Sequence, residues 1–123
     1  MSQQEHNLQI NYIEFPATDI EATKRFYGDV FGWKFQDYGP DYTSFHDGNL
    51  AGGFNRMADP AEVGQPRTRG TLVVIYAVAL EEVYAKVQAA GGKIVKEIFG
   101  FPGGRRFHFN DPSGNVLGVW SDK

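Results

Sequence analysis

Residues 10–15, I-N-Y-I-E-F, mix apolar and polar positions among β-favouring side chains and read as a strand that Pro16 ends. Beyond it, Ile20, Thr23, Phe26, Tyr27, Val30 and Phe31 fall on one helical face, while Lys24, Arg25 and Asp29 fall elsewhere. Thr18 or Asp19 supplies the helix N-cap and Gly32 the C-terminal stop. Three short strands are expected near 33–37, 42–46 and 50–56, separated by G-P-D and D-G-N turns. Residues 57–70 are rich in Pro, Gly and charge and read as a linker. The apolar run 71–78 then predicts a buried strand. Leu80, Val83, Val87 and Ala90 mark the face of a second helix, which Gly91 and Gly92 stop. Strands near 93–97, 105–110 and 115–120 close the pattern. The segment F-G-F-P-G-G-R-R, 99–106, lies between strands and lacks a lysine, so it reads as a hairpin loop rather than a phosphate cradle.

The two patterns are one pattern repeated. Ile20 matches Leu80, Glu21 matches Glu81, Gly32 matches Gly92 and Phe35 matches Val95. F-H-D-G-N-L-A-G-G-F (45–54) matches F-N-D-P-S-G-N-V-L-G-V-W (109–120), with Gly52 set against Gly118. A strand–helix–three-strand unit built twice predicts an α+β fold in one domain over 8–121, with repeat one at 10–56 and repeat two at 71–120.

Composition narrows the chemistry. With no cysteine among 123 residues, disulfides, thiolate metal sites and cysteine nucleophiles are excluded. The net charge of −3 and the absence of a basic run longer than Arg105-Arg106 argue against a nucleic-acid partner. The polar N-terminus lacks the apolar stretch of a signal peptide, and no stretch approaches the roughly 20 apolar residues of a membrane span. A cytoplasmic location is the expectation. Ten Phe, six Tyr and two Trp are enough both to fill a sheet-rich core and to line a pocket.

Two segments carry a family resemblance. D-I-E-A-T-K-R-F-Y-G-D-V-F-G-W (19–33) resembles the helix of the vicinal oxygen chelate superfamily, and F-N-D-P-S-G-N-V-L-G-V-W (109–120) is similar to its D-P-x-G-N turn and last strand. That superfamily includes glyoxalase I, extradiol dioxygenases, fosfomycin-resistance enzymes and bleomycin-resistance proteins. The resemblance implies two βαβββ repeats forming a curled mixed sheet around a central cavity. It also implies metal ligands on the first and last strand of each unit. Carried over by motif, they fall at Tyr12, Gly52 or Gly53, Leu72 or Val73, and Gly118. Glycine, leucine and valine offer no donor, and one tyrosine does not hold an ion. No metal and no cofactor are therefore expected.

Strand alternation from these positions gathers a candidate ligand-binding set: Tyr12, Glu14, Gly52, Phe54, His108, Gly118 and Trp120. Glu14 is either a general base or a solvated edge carboxylate, and Tyr12 either a hydrogen-bond donor to ligand or an ordinary sheet tyrosine. Phe54 and Trp120 either line a cavity or plug it. Arg106 and Arg105 suit an anion, but hairpin-edge protection is the preferred reading. Asp111, Gly114 and Asn115 read as turn builders. Two functions stay open, with an accessory or regulatory domain derived from an enzyme fold as a weaker third. One is metal-independent binding of a small, partly aromatic or apolar molecule, as in the bleomycin-resistance branch. The other is a glyoxalase-like lyase or isomerase using Glu14 and Tyr12, or a relocated metal. A homodimer is expected, both from the family and from the prevalence of two-fold pairs.

Overall fold

A computed structural model describes residues 7, 8, 10–56 and 72–123. The linker expected over 57–70 and His6 lie outside the described residues. Unit one runs β1 (Tyr12–Ala17), α1 (Ile20–Phe31), β2 (Lys34–Asp37), β3 (Tyr42–His46) and β4 (Ala51–Arg56). Unit two runs β5 (Val73–Tyr76), α2 (Leu80–Ala89), β6 (Lys93–Phe101), β7 (Gly104–Asn110) and β8 (Val116–Ser121). Each unit forms a four-stranded mixed sheet, ordered β1-β4-β3-β2 and β5-β8-β7-β6, in which only the first pair is parallel. The architecture is the α+β, twice-repeated βαβββ arrangement, without a closed barrel.

Local chemistry explains the element ends. Asp19 is the cap of α1: its Oδ1 accepts the Ala22 N–H at 3.0 Å. Gly32 ends the helix at φ 73°, a conformation that favours glycine, and its N–H returns to the Gly28 carbonyl. The first strand departs from expectation, continuing through Pro16 to Ala17 with Pro16 opposite Asn55. β1 is the outermost strand of its sheet, where a missing N–H breaks no ladder bond. β6 also runs past its expected end, leaving only Pro102 and Gly103 as the hairpin turn.

The helix-facing sides of both sheets form the core. Tyr27, Trp33 and Phe45 stack in sequence, with ring centroids 4.6 and 4.4 Å apart. Phe26 and Phe31 of α1 reach Phe109 of β7 at 5.8 and 6.0 Å, so α1 packs on unit two as well as on its own sheet. Burial of such rings stabilises the fold by about 1.5–3 kcal/mol each.

The turn 111–115 ties the units together. The buried Asp111 carboxylate accepts four hydrogen bonds, from the Ser113 N–H, the Asn115 N–H, Asn115 Nδ2 and the Tyr27 hydroxyl, at 2.9 to 3.0 Å. Asn115 Nδ2 also donates to the Pro16 carbonyl at 2.8 Å, and the Thr18 N–H donates to Ser113 Oγ at 2.8 Å. Burial pushes the Asp111 carboxyl upward against the four donors, and desolvation raises the Tyr27 hydroxyl well above the ordinary phenol range. The turn residues therefore build the fold, as their sequence suggested.

Candidate functional site

Each sheet turns one face to its helix and leaves the other open. In unit one, the ladder places Tyr12 beside Ala51 and Glu14 beside Gly53, with Ser44 opposite Gly53 and Tyr42 opposite Asn55. Partners across a ladder share a face, so Tyr12, Glu14, Tyr42, Ser44, His46 and Gly53 all lie on the open side. Above Gly53 stands a hydrogen-bonded chain. Tyr42 Oη donates to Glu14 Oε1 at 2.8 Å and lies 2.5 Å from Tyr12 Oη. Tyr42 has one hydroxyl proton, and Glu14 takes it, so Tyr12 donates to Tyr42. Burial, followed by these two hydrogen bonds, raises the Tyr42 hydroxyl far above its ordinary value and keeps it protonated. Gly53 makes room for the chain: a Cβ there would stand 2.0 Å from Tyr42 Oη and 2.6 Å from Tyr12 Oη.

Next to this chain an open groove of about 540 Å³ is walled by Tyr12, Lys34, Gln36, Tyr38, Ser44 and His46. His46 Nδ1 accepts the Gly48 N–H at 2.9 Å, which fixes its ring on the turn.

Two expected site residues belong to the other side. Phe54 is fully buried, 5.0 Å from Tyr27 and 5.4 Å from Phe15. A Cβ on Gly52 would stand 2.3 Å from both the Phe45 ring and the Ile13 carbonyl, so Gly52 also faces the core. The cause is a one-residue shift in matching the repeats. Glu14 and Val74 each stand six residues ahead of a helix start, and they pair with Gly53 and Gly118 respectively. Gly53, not Gly52, is the counterpart of Gly118, and a one-residue slip exchanges the faces of a strand. The same parity selects Leu72 over Val73 as the third position, because Val73 pairs with the buried Leu117.

In unit two the open face holds Val74, Tyr76, Val116, Gly118 and Trp120, with His108 opposite Gly118 and Arg106 opposite Trp120. His108 lies over the glycine: a Cβ on Gly118 would meet its Cδ2 at 3.1 Å. Phe99 packs edge-on against His108 at 5.8 Å, and Tyr76 and Phe101 flank Trp120 at 5.1 and 6.1 Å. Burial, then the charges of Arg106 and Lys96, lowers the His108 pKa below its ordinary value. Arg105 points to the opposite face, where its Nη1 and Nη2 bind the Glu81 carboxylate and fasten α2 to β7.

The positions where the fold family puts metal ligands are thus Tyr12, Gly53, Leu72 and Gly118, a set with one hydroxyl and no carboxylate or imidazole. That donor set does not fit a transition metal. Nor do relocated ligands converge: among the described residues no group of three or more His, Asp or Glu side chains is placed to hold an ion. His46 and Glu14 lie on unit one and His108 on unit two. Sequence reasoning missed Tyr42 and Lys96 as members of the open faces, and gave Arg106 as an anion contact only behind the preferred reading of hairpin-edge protection. Alternation along β3 from Ser44 and along β7 from His108 identifies Tyr42 and Arg106 once the pairing with β4 and β8 is known.

Comparison with known proteins agrees with this architecture. Over 117 residues the chain is 28% identical to CFP32 of Mycobacterium bovis, which carries a glyoxylase name; 89% of this chain is matched, but only 44% of that protein. The chain thus spans less than half the length of the curated relative. A glyoxalase-related enzyme from Fulvimarina pelagi superposes with a TM-score of 0.77 at 21% identity, covering 93% of this chain and 88% of that one. The bleomycin-binding protein of Streptomyces verticillus, solved with copper(II)-bleomycin, superposes with a TM-score of 0.64 at 17% identity over 91% and 95% of the two chains. At these identities the superpositions speak for fold alone. The family model of the Glyoxalase/Bleomycin resistance protein/Dioxygenase superfamily matches residues 9–119, and with the duplicated unit and its D-P-S-G-N turn in place, the chain belongs to that superfamily.

Proposed function

We propose that this protein binds a small, partly aromatic or apolar molecule on its open sheet faces without a metal. The observation that carries the reading is the pair Gly53 and Gly118. At the two places where the fold's metal enzymes carry carboxylates, this chain has no donor and instead admits a neighbouring side chain, Tyr42 or His108. The aromatic wall of Tyr76, Phe101 and Trp120 offers stacking surface, and Tyr12, Glu14 and Ser44 offer a few directed polar contacts. The fold neighbour that binds bleomycin is consistent with such use of the scaffold. Tyr12, Val74 and Tyr76 are exposed on these faces, and pairing of two copies as a homodimer would cover them. The absence of cysteine accords with a cytoplasmic setting. Native mass spectrometry of protein purified without added metal tests the reading. A dimer carrying co-purified organic mass and no metal is expected; stoichiometric nickel, zinc or iron overturns it.

The Tyr12–Tyr42–Glu14 chain favours a second reading, acid–base catalysis. Glu14 as proton acceptor and Tyr12 as the ligand-facing oxygen suit a lyase or isomerase step. Glu14→Gln removes the carboxylate while preserving size. Turnover of 2-oxoaldehyde, enone or epoxide substrates that is lost in this variant supports catalysis; full activity in the variant, or no turnover by the parent, removes its basis.

A further inference from the structure

Along β7 the residues of the open face alternate as Arg106, His108 and Asn110. Arg106 Nε, His108 Nε2 and Asn110 Oδ1 are each buried without a hydrogen-bond partner, and among the described residues they are the only buried side-chain atoms in that state. Buried polar groups are nearly always satisfied, so three orphans in one row of one strand point to a missing partner. Charge points the same way. Lys96 pairs with His108 across the ladder, and its Nζ lies 4.3 Å from the centre of the Phe99 ring. The Arg106 guanidinium lies 5.2 Å from the same ring and 5.2 Å from Phe101. Among the described residues neither cation has a carboxylate partner, whereas Arg105 on the opposite face is paired with Glu81.

The hairpin is shaped to gather these groups. The register of β6 shifts twice, between Ile94 and Lys96 and again between Lys96 and Phe99, each time with one more residue on β6 than on β7. The irregularity places Lys96 opposite His108 and Phe99 opposite Arg106 on the same face, an aiming device common beside binding sites. Two cations lie over one aromatic ring, and the His108 imidazole packs T-shaped against the same ring. Two like charges gathered at one ring favour an anion beside them.

We propose that the open face of unit two is an oxyanion site, in which Lys96, Arg106 and His108 hold the carboxylate or phosphate group of a ligand whose flat apolar body lies against Phe99, Phe101 and Trp120. This deepens the small-molecule reading above and rests on it. Phe99 lies against Arg106 and His108 in the free protein, and its movement opens their N–H groups to the anion. Asn110 donates a further contact to the anion when its amide is turned so that Nδ2 replaces Oδ1.

Phenyl phosphate is a suitable probe, with benzyl alcohol as its neutral counterpart. Titration is followed by NMR of the His108 ring and the Trp120 indole. Saturable shifts at both residues with phenyl phosphate, and much weaker ones with benzyl alcohol, are expected. Arg106→Gln and Lys96→Gln should each weaken phenyl phosphate by about tenfold or more, the scale of one charge-assisted contact. Phenyl phosphate should lose far more affinity than benzyl alcohol in these variants, and circular dichroism should show that the fold is retained. Equal binding of the two probes overturns the oxyanion site while leaving an apolar binding face intact. Absence of shifts at His108 and Trp120 overturns it too, and the co-purification experiment then judges the broader binding reading on its own. Unaltered phenyl phosphate affinity in both variants would also sink the proposal.

Discussion

Around Gly53 the open face carries Glu14, Tyr12 and Tyr42; around Gly118 it carries His108, Arg106 and Lys96. The backbone beneath is the same in both halves: a parallel first pair, a glycine on the last strand, and a side chain from the neighbouring strand lying over it. The polar character is reversed. Unit one presents hydroxyls ending in a carboxylate that accepts from Tyr42; unit two presents cations and buried polar atoms without partners. Core positions are held by close packing, which resists change in volume. Residues on the open faces are less tightly packed than the core, so a duplicated scaffold leaves room for the two to differ there.

The contrast can be broken hardest at the turn that joins the halves. Asp111→Ala strips four donors of their acceptor and severs Tyr27 from unit two, at an expected cost of about 3–5 kcal/mol. Urea unfolding should show the loss. Fluorescence from Trp33 in unit one and Trp120 in unit two would show whether the halves then unfold separately; an unchanged midpoint contradicts the role given to this turn.

A glycine-to-alanine series sharpens the comparison itself. Gly52→Ala drives a methyl into the Phe45 ring and the Ile13 carbonyl, neither of which can retreat, and should cost about 1–3 kcal/mol. Gly53→Ala meets the far ends of two side chains, the hydroxyl and Cζ of Tyr42 and the hydroxyl of Tyr12, which can swing outward. It should cost less, about 1 kcal/mol, and break the hydrogen-bonded chain to Glu14. Gly118→Ala meets His108 at 3.1 Å and Val74 at 3.5 Å, and a small ring movement suffices, so a change within about 0.5 kcal/mol is expected. Thermal melts of the three variants give the ranking. If Gly52→Ala were the mildest, the face assignment of β4 would be wrong.

The smallest effect is a pH dependence confined to unit two. Burial and the charges of Arg106 and Lys96 depress the folded-state pKa of His108 from its ordinary 6.5. As pH falls below that value the unfolded chain takes up a proton that the folded chain still refuses, so stability declines with falling pH through this window. Comparison of the parent with His108→Asn should show the slope reduced in the variant. A slope of the opposite sign would mean that the imidazole is stabilised as a cation.

The fold was legible in the sequence because each element carried its own local signal. The helical stripe from Ile20 to Phe31, the Asp19 cap and the D-P-S-G-N turn all act within a few residues of themselves. The repeat then supplied the order of strands, since a unit recurring in sequence recurs in space. The open faces were only half legible. Tyr12, Glu14, His108, Gly118 and Trp120 fall where alternation puts them, but Gly52 and Phe54 fall on the core side because a glycine pair hides strand parity. Neither Gly52 nor Gly53 has a side chain to show which way it points.

What the sequence determined by itself, then, is the duplicated scaffold and the loss of metal donors, both of which follow from residue identity and local spacing. What only the tertiary structure decided is which side chains meet. Tyr42 joins Tyr12 and Glu14 across three strands, and Arg106 turns away from the Glu81 that holds Arg105. Those contacts depend on ladder register and on a bulge in β6, and register is set by pairing between segments far apart in the chain.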